Sequence, residues 1–187
     1  MASSTRDALV DAAAQLLDEG GPEAVTLREV GRRAGVSHNA PYKHFAGKEA
    51  LLAAVAAREL KRQGAVVAAA TTLQSVLHGY VDWALAHPER FRLVFGPWST
   101  GSEELAAAAE TARAALIALV AEQQRASRLP DGDPERLAAL LQALAHGAVA
   151  LTLAGHLSLD GKGHADPGDL VDDLIGRLGA GSRRCAR

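Results

Sequence analysis

Signals that start a helix and signals that stop one follow each other so closely along this chain that helices account for nearly all of it. Ser4 or Thr5 can cap a first helix whose apolar stripe is Leu9, Ala13, Leu16 and Leu17, and Gly20 and Gly21 end it. Val25 to Ala34 and Val36 to Phe45 read as two short helical units. A longer helix runs from Gly47 through Leu51, Leu52, Val55 and Leu60 toward Thr71. Thr71 or Thr72 opens the next, which reaches His87, and Pro88 suits the first turn of another. After the loop GPWSTGS, Ser102 reads as an N-cap with Glu103 and Glu104 near the positive helix end, and that helix lasts to about Arg128. Asp133 and Pro134 start a helix that continues to about Leu159. Asp166 and Pro167 start a last one over 166–179, carrying Leu170, Leu174, Ile175 and Leu178.

No stretch alternates with period two, and no internal repeat of roughly 30 to 45 residues appears. The expectation is an all-α fold of about nine helices. Composition agrees: 48% of the chain is hydrophobic, mostly Ala, Leu and Val, and only 4% is aromatic. Ala and Leu lose little side-chain entropy in a helix.

The formal charge is −2, so any nucleic-acid contact must come from a local patch and not from bulk attraction. The single cysteine, Cys185, excludes an internal disulfide and fits a reducing cytoplasm. The N-terminus reads as an amphipathic helix and not as a signal peptide. No uncharged apolar run reaches the length of a membrane span, so a soluble cytoplasmic protein is expected. Phosphate loops, dinucleotide fingerprints, metalloprotease helices and G-x-S-x-G elbows are absent, which argues against an enzyme and against a cofactor. His78 and His87 are nine residues apart, on opposite helix faces, and His146 and His156 also diverge, so no metal site is expected.

The stretch VTLREVGRRAGVSHNAPYKHF, residues 25 to 45, carries the chemistry. Thr26 and Glu29 form a T-x-x-E capping box, with Val25 and Val30 as the hydrophobic staple around it. Gly35 supplies a left-handed stop, and Val36 and Ser37 begin a second staple-and-cap start. Two short helices joined by a tight turn are the sequence form of a helix-turn-helix. Between residues 28 and 48, Arg28, Arg32, Arg33, Lys43 and Lys48 face Glu29 alone, five minus one, a local +4. In a DNA-reading unit the start of the second helix enters the major groove, and here that start offers Ser37, His38, Asn39 and Ala40. Asn suits an adenine edge, His a guanine acceptor and Ala a thymine methyl. Thr26, Tyr42, Lys43 and Lys48 are of the type that grips phosphates, and Arg28, Pro41 and His44 complete the face.

Residues 26–52, TLREVGRRAGVSHNAPYKHFAGKEALL, resemble the N-terminal DNA-binding domain of the TetR family of bacterial transcriptional regulators. The resemblance is carried by Thr26, by Ala34-Gly35-Val36-Ser37, by Tyr42 and Phe45, and by Lys48-Glu49-Ala50-Leu51. HPERFRLVFGP and AHGAVALTLAGHL resemble, more distantly, the subgroup whose C-terminal region is called the WHG domain. Pro41 departs from the family pattern, which more often has a small or aliphatic residue there.

The resemblance implies a DNA-binding domain over 1–47 and a ligand-binding and dimerisation domain over 48–187, whose last two long helices pair with those of a second subunit. It also implies a homodimeric, ligand-responsive regulator, a repressor released from a pseudo-palindromic double-stranded operator by a small-molecule effector. The alternative is a helical small-molecule or protein-binding module that does not bind DNA. Helix 133–159 suits dimerisation, with Leu137, Leu140, Leu141, Leu144, Ala148 and Leu151, and with Ala143, Gly147 and Ala154 allowing close approach. The large aromatics gather at Tyr80, Trp83, Phe91, Phe95 and Trp98, which with His78 and His146 are the candidate effector-binding residues. From about residue 180 the Arg-rich tail reads as disordered.

Overall fold

The computed structural model describes residues 4–98 and 101–185, with side chains as far as residue 180. Nine helices occupy the described residues: α1 (Thr5–Ala24), α2 (Leu27–Arg33), α3 (Ala40–His44), α4 (Lys48–Ala69), α5 (Leu73–Ala86), α6 (Pro88–Phe95), α7 (Glu103–Arg125), α8 (Pro134–Leu153) and α9 (Pro167–Cys185). The only extended pairing among those residues is an isolated bridge between Ser158 and Gly163.

Most helix starts lie where short-range chemistry puts them. Ser4 and Asp7 close a capping box at α1. The Thr72 hydroxyl accepts from Ser75 N, the Ser102 hydroxyl from Leu105 N, and the Asp133 carboxylate from Glu135 N. Gly20 and Gly21 break α1 as expected, Gly21 at φ +67°, and one further turn follows to Ala24.

Two ends differ from the sequence reading. α8 stops at Leu153 instead of about Leu159, because Gly155 adopts φ +71° and closes the helix, with Gly155 N bonded to Thr152 O and His156 N to Leu151 O. α9 runs on to Cys185, so the backbone over 180–185, expected to be a disordered tail, is helical.

The chain divides into two compact units, one of residues 1–62 and 87–110, the other of residues 63–86 and 111–187. In the first unit, Leu9, Val10, Ala13, Leu16 and Leu17 of α1 pack with Val25, Val30 and Phe45. The same core takes in Leu51, Leu52, Ala54 and Val55 of α4. Leu93 and Trp98 also pack against this core.

In the second unit, α5 packs on α8 and α9, which pack on each other. Leu73, Val76, Leu77 and Val81 of α5, Ala138, Leu141, Ala145 and Val149 of α8 and Val171 of α9 are all buried. Gly64 lets its helix approach α7 closely: a Cβ there would lie 3.2 Å from Ala112 Cα. α8 is apolar enough and, at 20 residues, long enough to cross a membrane, contrary to the expectation that no run reaches that length. Burial against α5 and α9 covers one face of the helix, 28% of the apolar window.

Candidate nucleic-acid interface and effector site

The helix-turn-helix is built as the sequence implied up to Gly35. Thr26 Oγ1 accepts from Glu29 N at 3.2 Å, and Val25 and Val30 are both fully buried beside it. The reciprocal half of the box is replaced: Glu29 turns its carboxylate onto Arg32, at 2.5 and 2.9 Å. Gly35 sits at φ +67°. Gly35 N bonds to Arg32 O and Val36 N to Gly31 O, which satisfies two of the carbonyls that the end of α2 leaves open.

Beyond Gly35 the structure corrects the reading. The second helix spans only Ala40–His44, with Asn39 as its cap residue, instead of running from Val36 under a Ser37 cap. Pro41 is the cause. A helix starting at Ser37 would bond the Ser37 carbonyl to the N–H of residue 41, and proline has none. The Ser37 carbonyl takes Ala40 N instead, at 2.9 Å, which makes a tighter turn over Ser37, His38 and Asn39. The Pro41 ring is buried against α2, where a Cβ on Gly31 would come within 2.9 Å of its Cγ. Pro41 therefore belongs to the seam between the two helices and is not part of the exposed face.

That face consists of Thr26, Arg28, Ser37, His38, Asn39, Tyr42, Lys43 and His44, all exposed, with Ala40 and Lys48 half-buried. Tyr42 is 55% exposed, unusual for so large a ring, and His38 lies 6.0 Å from it. The cationic count changes on folding. Arg33 pairs bidentately with Glu19 at 2.5 and 2.7 Å, and Lys48 lies 3.8 Å from Glu23. Adding these two carboxylates leaves five minus three, a local +2 in place of +4. Hydrogen bonds from Arg32 and Arg33 hold the Glu29 and Glu19 carboxyls below the usual range. Among the described residues, Arg28 and Lys43 have no carboxylate partner, so these two are the cations left for phosphates.

The candidate effector residues fall into both units. In the second, Tyr80 and Trp83 have rings 6.3 Å apart, and the Tyr80 hydroxyl is hydrogen-bonded to His146 Nδ1 at 3.2 Å. Burial raises the Tyr80 hydroxyl's pKa and lowers that of the His146 imidazole. His78 is not with them: its Nε2 lies 2.7 Å from Asp172, which also accepts from Gln74, so it fastens α5 to α9.

In the first unit Phe91 is buried, with Phe95 5.5 Å away. Trp98 lines a broad open cavity of about 470 Å³ with Ser102, Leu105, Ala106 and Ala109. Its indole Nε1 is buried without a hydrogen-bond partner. Among the described residues no group of three or more His, Cys, Asp or Glu could hold a metal.

Sequence reasoning passed over one feature. Glu59, only 3% exposed, is an acid inside an apolar stretch of α4, and Arg62 and Arg90 neutralise it. A lone carboxylate among LLAAVAAREL was the available signal.

Residues 9–55 match the model for bacterial regulatory proteins of the tetR family, and residues 73–178 match the tetracyclin repressor-like C-terminal domain. The second match alone covers more than half of the 187 residues. The chain belongs to the TetR family of bacterial regulatory proteins. It is 31% identical over 91 residues to an uncharacterized HTH-type transcriptional regulator, YobS, of Bacillus subtilis, spanning 45% of this chain and about half, 48%, of that relative.

Among solved structures it is similar to a protein of unknown function from Rhodococcus sp. RHA1, with a TM-score of 0.79, 29% identity and 96% of each chain covered. It also shares its fold with SmeT, the repressor of the Stenotrophomonas maltophilia multidrug efflux pump SmeDEF. There the TM-score is 0.60 at 24% identity, over 92% of this chain and 89% of that one. SmeT has also been solved with triclosan bound.

Proposed function

We propose that the protein is a cytoplasmic, homodimeric repressor that grips a pseudo-palindromic operator and lets go when a small molecule binds. The observation that carries this reading is the face of the helix-turn-helix. Ser37, His38 and Asn39 stand exposed on a turn pinned by Gly35 on one side and by the buried Pro41 ring on the other. Such preorganised polar side chains are what base-edge reading requires.

A reader of a two-fold operator needs two heads about one helical turn of DNA apart. α8 supports the pairing. On the side away from its buried residues, Leu140, Ala143, Ala150 and Leu151 are exposed and Leu144 and Gly147 half-buried, at the spacing of one helical stripe. Leu140 is 59% and Leu151 48% exposed. For the effector, Tyr80, Trp83 and His146 supply aromatic surface with a polar anchor. Release follows if the effector binds better to a conformer whose heads no longer match the operator, with a coupling of about 1–3 kcal/mol. α4, which begins in the head and continues into the second unit, is the lever.

The test is selection of duplexes from a random pool by the purified protein, with a salt titration on the winner and sedimentation of Leu140→Ser/Leu151→Ser. The expected result is a two-fold-symmetric consensus. Arg28 and Lys43 on two heads make four cations, which set a log–log salt slope of about −4. The double variant should sediment as a monomer. No enrichment, or a flat salt response, would return the protein to a helical binding module without DNA.

A further inference from the structure

We infer that two separated ion-pair clasps on α1 lock the DNA-reading head to the α6–α7 segment, so that the recognition turn and residues 87–110 move as one body. The inference rests on the DNA-reading function proposed above and adds the residues that hold the head in its reading orientation.

The first clasp lies near the C-terminal end of the regular part of α1. Asp18 receives Arg90 of α6 bidentately, Nε at 2.9 Å and Nη2 at 2.5 Å, and His87 Nδ1 lies 3.5 Å from the same carboxylate. Arg90 also reaches back to the buried Glu59 of α4, Nη1 to Oε1 at 3.1 Å, so one guanidinium joins α6 to two helices of the head. It is the least exposed cation of the network, 16% accessible, with Asp18 at 28% and Glu59 at 4% for the side chains. Fixed geometry and partial burial distinguish such a pair from the exposed bridges that contribute little.

The second clasp lies at the other end. Arg6, in the first turn of α1, donates to Glu104 of α7 at 2.6 Å, and Lys61 of α4 holds the other oxygen of that carboxylate at 2.8 Å. The Arg6 guanidinium also lies over the Phe45 ring, 5.4 Å from its centroid. Phe45 is the residue that ends the recognition helix, and it is buried in the core of the head. A carboxylate on α7 is thus joined through one arginine to the end of α3.

The two clasps are twelve residues apart along α1, about 18 Å. Two attachments at that separation suppress rotation of the head about either one. Between them, Leu93 and Trp98 pack on the head's apolar core, and Asp11 pairs with Arg58 of α4. α7 then continues from this body into the second unit as one helix, a covalent path beside α4 and the α5–α6 junction. With the clasps made, a displacement of α6 or α7 carries the recognition turn with it. With them broken, the head keeps α4 and the apolar contact of Leu93 and Trp98 but loses the polar attachments that fix its orientation.

The test uses the full-length chain with Asp18→Asn and Glu104→Gln combined. These substitutions remove both carboxylate clasps while leaving Glu59 neutralised by Arg90 and Arg62, and thermal unfolding with circular dichroism checks that the variant folds. Two readouts follow.

In the first, amide hydrogen exchange of α1 and α3 should speed up about tenfold in the variant with α8 unchanged. Unchanged exchange in α1 and α3 would overturn the inference, whether or not any DNA binds. In the second, the selected operator is lengthened by one base pair between half-sites, which turns one half-site by about 34°. The wild type should reject the lengthened site, and the variant should lose about tenfold of that discrimination at unchanged affinity for random duplex. An identical spacing preference in both proteins would equally overturn it. A wild type that selects no duplex refutes the DNA-reading function, and the exchange readout then decides the clasps.

Discussion

Gly31→Ala isolates the seam between the two helices of the head. By propensity alone the substitution should help, since alanine in a helix interior is favoured over glycine by about 1 kcal/mol. The structure predicts the opposite sign. The new Cβ would stand 2.9 Å from Pro41 Cγ and 3.4 Å from its Cδ, and a pyrrolidine ring has no rotamer to retreat into. Overpacking of this kind costs about 1–3 kcal/mol. Gly79 is the reference: it is exposed in α5 with nothing within 4 Å of its would-be Cβ. Gly79→Ala should therefore show the propensity gain undiluted. Urea unfolding should separate the two variants by the clash itself, about 1–3 kcal/mol. Repeating Gly31→Ala on a Pro41→Ala background should recover most of that difference, a coupling within the range known for touching residues. Operator affinity should fall in Gly31→Ala, since the ring that positions the turn is pushed outward, and recover only in part in the double variant. Equal stability of Gly31→Ala and Gly79→Ala, or a cycle that closes without coupling, would refute the account of Pro41.

Asn39→Ala should relax preference at particular base pairs by about 1–3 kcal/mol, whereas Lys43→Ala should weaken all duplexes alike and flatten the salt slope by about one per head; competition titrations distinguish them. The His146 pKa is depressed by burial, so the unfolded chain takes up a proton first as pH drops below the ordinary imidazole value of 6.5. Stability should thus be full above that pH and decline below it, and His146→Gln should flatten the decline in urea midpoints. Gly147→Ala faces open space in a single chain, so it should raise the stability of a monomer by about 1 kcal/mol. In the proposed dimer the same methyl should weaken association, as sedimentation will show.

What was legible in the sequence was whatever is decided within four residues. Ser4, Thr26, Thr72, Ser102 and Asp133 cap their helices because the bond runs from a side chain to a backbone N–H two or three positions on. Gly35 stops α2 for an equally local reason. The two shortened helices obey local rules as well: Gly155 follows the same stop chemistry, and Pro41 denies the Ser37 carbonyl its helical partner. Long-range choices were not legible. Glu19 and Glu23, remote in sequence from the basic stretch, fold back to remove half of its charge. Nothing in the spacing of Asp18, Glu59 and Arg90 announces that they meet. The aromatics looked like one cluster because they lie close in sequence, yet Phe91, Phe95 and Trp98 belong with the head while Trp83 belongs with Tyr80 and His146.

α8 shows how a sequence pattern can be correct and still ambiguous. Its high apolar content fits a core helix, a membrane span or a helix buried on two sides, and periodicity cannot choose among them. The structure buries Ala138, Leu141, Ala145, Ala148 and Val149 and leaves Leu140, Leu144 and Leu151 outside that set. A helix needed only for its own unit would carry polar residues on that outer stripe, since each leucine left in water forgoes about 1.5–3 kcal/mol of burial. Two such leucines flanking Ala143, Gly147 and Ala150 make a surface flat enough for a second helix to approach closely. A two-fold partner meets that demand with the same stripe, because an isologous interface presents each residue twice. In the proposed dimer the outward leucines and the outward Asn39 would serve one requirement, the first setting the distance between heads and the second reading the bases found there.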